Sequence, residues 1–255
     1  MVFDGKRSAA SGSDSVDVAL GLVSGREALT VHGYGTFKLG TAAQVIRHSG
    51  GAYVHAIPGV VQVVSEGGED SADGDGAQVV HVTGIDAAGA AIEADITVGG
   101  KSVAVFAHVH TAVVSRAGSH MVNVGDLRVS VSGTQAVVIP AGDGSSSDCV
   151  WMCPVTHTAA ITGWSMCCAS SKTNGSPVAA TVDILLRCRL AGGLCRTLSR
   201  MSIPLGVGVQ HMPFDPPAAI PAGTTVWASV CGVGGRRAPV IDTSAQLSVI
   251  SEKTT

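Results

Sequence analysis

Two histidines separated by one residue, His108 and His110, are the side chains whose type and spacing most invite chemistry. Residues two apart on a strand point the same way, so this pair presents two imidazoles on one face, as some zinc sites require. His120 or Asp126 would have to complete the set. No cysteine or carboxylate stands at a matching spacing, and histidines on strand faces are common, so the expectation is that no metal is bound. Asp70, Asp73 and Asp75 lie in the run EGGEDSADGDG (66–76). Clustered carboxylates suit calcium, but a run this acidic and glycine-rich reads as a solvated loop.

Nucleophilic catalysis finds little support. A Ser–His–Asp triad has sequence-remote members, yet the nearest approach to a nucleophile elbow, Gly163-Trp164-Ser165-Met166-Cys167, lacks its second glycine. Most Asp and Glu residues fall in turns or on solvent faces, which does not suit the paired carboxylates of glycoside hydrolysis. Neither a phosphate loop nor a dinucleotide fingerprint occurs. The expectation is no catalytic residue, no cofactor and no enzyme.

All seven cysteines (Cys149, Cys153, Cys167, Cys168, Cys188, Cys195 and Cys231) lie in the second half of the chain. Cys149-x-x-x-Cys153 and Cys167-Cys168 do not have zinc-site spacing with partner pairs. If Leu190 to Gly193 turns a hairpin, Cys188 and Cys195 face each other and form the best-placed disulfide. An odd count without a signal segment favours free, buried thiols in a reducing compartment instead. The same hairpin would place Arg187 and Arg189 on one face, with Arg196 and Arg200 on the return strand. A net charge of −3 and a pI near 6.3 argue against a dedicated nucleic-acid binder, which carries a basic footprint.

Charged residues make up only 14% of the chain against 45% hydrophobic ones, so a free surface has little to cover it. A typical soluble domain carries roughly 25% charge. Either lipid or neighbouring subunits must make up the difference. The two long uncharged runs, 149–171 and 216–235, are broken by Pro154, His157, Pro216, Pro217 and Pro221. A membrane span needs ~20 predominantly apolar residues, so an oligomeric subunit is the better reading. The N-terminus has no apolar core after its basic residues and does not read as a secretory signal. Residues 1–25 read as a flexible arm.

From Arg26 onward the chain reads as short strands punctuated by turns. In 91–98, Ile92, Ala94, Ile96 and Val98 alternate with Ala91, Glu93, Asp95 and Thr97, one face buried and the other wet. The segments 78–84, 90–100 and 101–114 read as a meander of hairpins turning at Ile85–Gly89 and at Gly99-Gly100. Further strands are expected at Ala28–His32, Thr36–Leu39, Gln44–His48, Tyr53–Ile57 and Val60–Ser65. Ile139-Pro140-Ala141-Gly142 and Ile220-Pro221-Ala222-Gly223 are the same corner, each leading to a Trp-containing strand. Val178–Leu190 also fits a short helix. The expected fold is all-β, two tandem antiparallel sandwich or jelly-roll-like domains at 26–132 and 133–255, with a single large sandwich as the alternative.

The segment Val82–Val131 resembles virion structural proteins, minor capsid or capsid-associated, of tailed phages and large algal DNA viruses. The likeness is carried by Thr83, Gly84, Asp86, Gly89, Glu93, Gly99, Gly100, Asn123, Gly125 and Leu127. Cys153–Gly163 is similar to a V-P-x-G-K-T-A-x-I-x-G corner of that family, with Thr156 and His157 in place of its glycine and lysine. Phe214, Pro216 and Ile220–Thr224 also fit. The resemblance implies a non-enzymatic capsid subunit or capsid-decorating protein of the virion, whose partners are copies of itself and other capsid proteins. Two rivals from other classes are a fibre or carbohydrate-binding virion protein, using Trp151, Trp164, Trp227, Tyr34 or Tyr53 against a glycan, and a hydrolase with a sequence-remote site.

Overall fold

A computed structural model describes residues 14–38, 42–170, 181–190, 193–206, 208–232 and 240–254. Most of the expected arm, residues 1–13, lies outside them. Its remainder is not featureless: Asp14–Ala19 forms a short helix, α1, with Val18 buried and Leu22 N–H bonded to Asp17 O at 2.9 Å. Everything else of regular structure is strand, and the strands form three antiparallel sheets.

The first sheet contains β1 (Arg26–Lys38), β15 (Val240–Lys253), β10 (His157–Ser170) and β13 (Gln210–Ile220), side by side in that order. The second has β12 (Cys195–Pro204), β11 (Thr181–Arg189), β14 (Thr225–Gly232) and the two-residue β2 (Gln44–Val45), with β9 (Val150–Met152) also on β14. Ile161, Trp164, Met166 and Leu247 of the first sheet share one core with Val182, Ile184, Leu186 and Val230 of the second. The two sheets thus form a sandwich. Along β11 the even-numbered residues enter that core and the odd ones face away, a period of two that rules out the helix considered for 178–190 over its described part, 181–190.

The third sheet runs in the order β5 (Ala91–Thr97), β4 (Ala77–Asp86), β6 (Lys101–Ala117), β3 (Gly59–Ser65), β7 (Leu127–Val131) and β8 (Thr134–Ile139). Its separate core includes Val61, Val63, Val80, Val82, Ile96, Phe106 and Leu127. Alternation in 91–98 is as read, with the odd residues exposed through Thr97. The meander is not. β4 pairs with both β5 and β6, so the chain crosses the end of β4 rather than turning a hairpin at Gly99-Gly100. β3 holds that crossing: Gly99 N–H donates to Val63 O at 2.9 Å, and Val63 N–H to Gly100 O at 3.3 Å. Tyr53–Ile57, expected as a strand, is irregular, and the two short strands expected in 28–39 are one, β1.

The sheets divide the chain differently from the expected 26–132 and 133–255. β1 pairs with β15 from Arg26↔Glu252 to Lys38↔Val240, so the first strand belongs to the sandwich. β8 pairs with β7 and belongs to the third sheet. The chain enters the sandwich, leaves to build the six-stranded sheet, and returns through 140–149. Turn signals report only neighbours in sequence, so they could not reveal this closure.

Residues that carried the family resemblance serve the backbone. Asp86 Oδ1 accepts from Ala88 and Ala90 N–H, both at 2.8 Å, and caps the β4–β5 turn. Gly84 lies so close to β6 that a Cβ would meet His108 O at 2.0 Å. Both IPAG corners form the same turn, with Gly142 and Gly223 at φ 82° and 70°. The strands that follow them, β9 and β14, pair with each other, placing Trp151 opposite Val226 and Trp227 opposite Val150.

Candidate functional site at the junction of the sheets

The centre of β6 meets β9 where the six-stranded sheet abuts the sandwich. Irregular register between β4 and β6 turns His108 and His110 toward that junction. Their rings are 5.2 Å apart, edge to face, so the shared strand face is present. His110 stacks on Trp151 at 6.1 Å, and its Nε2 lies 3.0 Å from Met152 O and 3.2 Å from Met152 N. Burial pushes the His110 imidazole down to about 4. His108 falls well below the usual histidine value, through burial first and then the neighbouring His110 and His55. Its Nε2 is buried without a partner.

Residue 148, in the link from β8 to β9, brings a carboxylate to the same place. Asp148 bridges Arg47 through the backbone, but neither of its carboxylate oxygens is hydrogen-bonded. Burial raises it to about 7, and the charge of Arg47 opposes that only in part. Arg47 spends its donors on carbonyls: Nε to Gly50 at 2.8 Å, one terminal nitrogen to Ala136 at 3.3 Å and the other to Ala52 at 3.4 Å. His108, Asp148, Arg47 and Tyr53 line a small cavity of ≈ 20 Å³. A larger cleft of ≈ 290 Å³ opens nearby, with His55, Asp86, Met152, Arg189 and Thr225 on its walls.

His120 is not part of this group. It pairs with Glu69 at 2.8 Å, and Asp126 faces His48 at 3.6 Å, so neither candidate third ligand joins His108 and His110. Among the described residues no three His, Cys, Asp or Glu side chains come together as a metal set. Asp70, read as part of an exposed loop, is buried. Burial pushes its pKa up, but Ser65 Oγ and the N–H groups of Val124, Gly125 and Ala77 outweigh that and hold it below the usual value. Those four donors, at 2.6–2.9 Å, occupy both oxygens in pinning the 66–76 loop.

All seven thiols are free, and the candidate Cys188–Cys195 bond is not formed. The register explains why: Cys188 sits opposite Arg196, and Cys195 opposite Arg189. The two cysteines are one step out of line and point to opposite faces. Burial raises Cys149 to about 12 and Cys153 and Cys168 to about 11, which keeps them protonated and unreactive. Arg187 and Arg189 do share a face, with Trp227 and Thr225 as cross-strand neighbours. Arg200 instead pairs with buried Asp183, which also accepts from Ser202.

Ser165 Oγ lies 2.9 Å from His211 Nδ1, the arrangement closest to a nucleophile and base. It stands on a continuous strand, and among the described residues no carboxylate bonds His211. Trp151, Trp164 and Trp227 are all buried, so none offers a ring to a glycan. Sequence reasoning missed Arg47, Asp148 and His55, and singled out Tyr53 only as a ring for a glycan. Only Asp148 left a signal, as the one charge in an otherwise neutral run beside Cys149 and Val150.

No protein-family model matches the chain, and no curated protein does. Among the solved structures similar to it are several of infectious bursal disease virus. One, of the viral particle, shows 11% identity and a TM-score of 0.26, covering 90% of this chain and 72% of that one. Another, of the Gx strain, shows 11% identity and a TM-score of 0.25 over 88% and 70% of the two chains. A third, of the VP2 subviral particle, shows 11% identity and a TM-score of 0.22 over 90% and 75%.

Proposed function

We propose that this chain is a non-enzymatic structural subunit of a virion, a minor capsid or capsid-decorating protein held in place by contacts with copies of itself and other shell proteins. The observation that carries the assembly reading is an apolar strip on the outside of the six-stranded sheet. Val60 and Val105 are cross-strand partners, both exposed, and Val103, two residues along β6, is 100% exposed. Val64 is exposed on the same face of β3, separated from Val60 by Gln62, which faces Lys101. Their neighbours Val61, Val63 and Phe106 fill the core on the opposite side, so the outer valines are surplus to folding.

Single exposed apolar residues are ordinary, but adjoining ones such as Val60, Val103 and Val105 mark an interaction surface. Sparse charge points the same way, because it leaves little repulsion between packed subunits. The virion assignment draws on the turn pattern of Val82–Val131, whose residues Gly84 and Asp86 shape the sheet that bears the strip. Light scattering on a size-exclusion column tests the assembly part. The expected result is a concentration-dependent oligomer that Val103→Lys with Val105→Lys reduces to monomer. A monomer at every concentration overturns it.

A further inference from the structure

We propose that the cleft beside Arg189 is a binding site for a small oxyanion, gripped by the Arg189 guanidinium and by the Nε2–H of His55. Arg189 and His55 both line it, and Asp86 is the acidic residue of its lining. Arg189 makes no ion pair among the described residues, yet its charge acts on both His55 and Tyr53. Arg189, at the end of β11, and His55, in the irregular 52–58 segment, both line a cleft with room for a small ligand.

A hydrogen-bond relay fixes which nitrogen of His55 faces outward. Tyr53 is held by stacking on Trp227 at 4.6 Å, and Thr225, itself buried, hydrogen-bonds the Tyr53 hydroxyl. Burial raises that hydroxyl to about 12, so it keeps its proton, and it lies 2.9 Å from His55 Nδ1. With the Tyr53 hydroxyl as donor in this pair, Nδ1 accepts and the ring hydrogen resides on Nε2, the nitrogen we assign to the ligand. The neutral imidazole is then a donor beside a cation, a pairing that selects an oxygen anion.

Arginine's planar fork takes carboxylate and phosphate oxygens in parallel hydrogen bonds, a geometry an ammonium cannot supply. Asp86 also lines the cleft, and its Oδ1 is engaged by the N–H groups of Ala88 and Ala90, which holds it in the turn. A phosphate and a carboxylate share the required chemistry, and titration separates them.

The test is isothermal titration of the full chain with inorganic phosphate and, separately, with acetate, at fixed ionic strength so that screening cannot mimic binding. Saturable heat with phosphate alone identifies a phosphate site, and saturation with both identifies a general oxyanion site. Arg189→Gln is expected to weaken affinity by about tenfold or more, the worth of one charge-assisted contact. Tyr53→Phe, which frees the His55 tautomer, is expected to weaken it by about threefold. Arg189→Lys keeps the charge but loses the fork, and circular dichroism confirms that each variant is folded. Failure of both anions to saturate the wild type, or an unchanged affinity in folded Arg189→Gln, overturns the proposal.

Discussion

Replacing Asp148 with Asn should make the protein more stable, and increasingly so as pH rises. The carboxyl group is buried, neither oxygen has a partner, and its folded value of about 7 lies above the ordinary 3.8. A group raised in this way binds more protons folded than unfolded between those two values. Its contribution is therefore complete below about pH 4 and is lost as pH climbs through about 7. At 1.36 kcal/mol per pH unit, a gap of about three units amounts to about 4 kcal/mol. Asn matches the neutral acid in shape and cannot ionise. Urea unfolding of both proteins at several pH values should give a difference near zero at about pH 4 that grows to about 4 kcal/mol in favour of Asn by about pH 8. A difference that stays flat with pH would show that the carboxyl is solvated or paired and would refute the reasoning.

His110 should act with the opposite sign. Its folded value of about 4 lies below 6.5, so stability is gained as pH rises between them, by about 3 kcal/mol; His110→Gln should remove that acid-side loss in the same unfolding series. Gly84→Ala should cost about 1–3 kcal/mol, because the new Cβ meets the His108 carbonyl at 2.0 Å, and thermal unfolding would register it. Asp70→Ala should cost about 3 kcal/mol or more by stranding the N–H groups of Ala77, Val124 and Gly125, and hydrogen exchange should show the 66–76 loop opening first.

The strands themselves were legible because alternation and turn chemistry are local. Ile96 and Val98 bury while Glu93 and Asp95 stay wet, and Pro140 and Pro221 mark true corners. Pairings that close the molecule were not legible. β1 and β15 meet across the length of the chain, and nothing in Arg26–Lys38 names its partner. Gly99-Gly100 looked like a hairpin turn because two glycines permit one; the hydrogen bonds to Val63 that decide otherwise come from β3. The candidate Cys188–Cys195 pair misses by a single step of register, which in a sheet reverses the face. His108 and His110 could be paired from their spacing, whereas Asp148, Arg47 and Tyr53 reach the junction from segments far apart in sequence.

Electron cryomicroscopy of particles from cells producing this chain addresses the virion reading directly. The account predicts density for the sandwich and the six-stranded sheet repeated in the shell, with Val60, Val103 and Val105 covered by a neighbouring subunit. Particles that lack this chain, or a shell in which those valines face solvent, would contradict it.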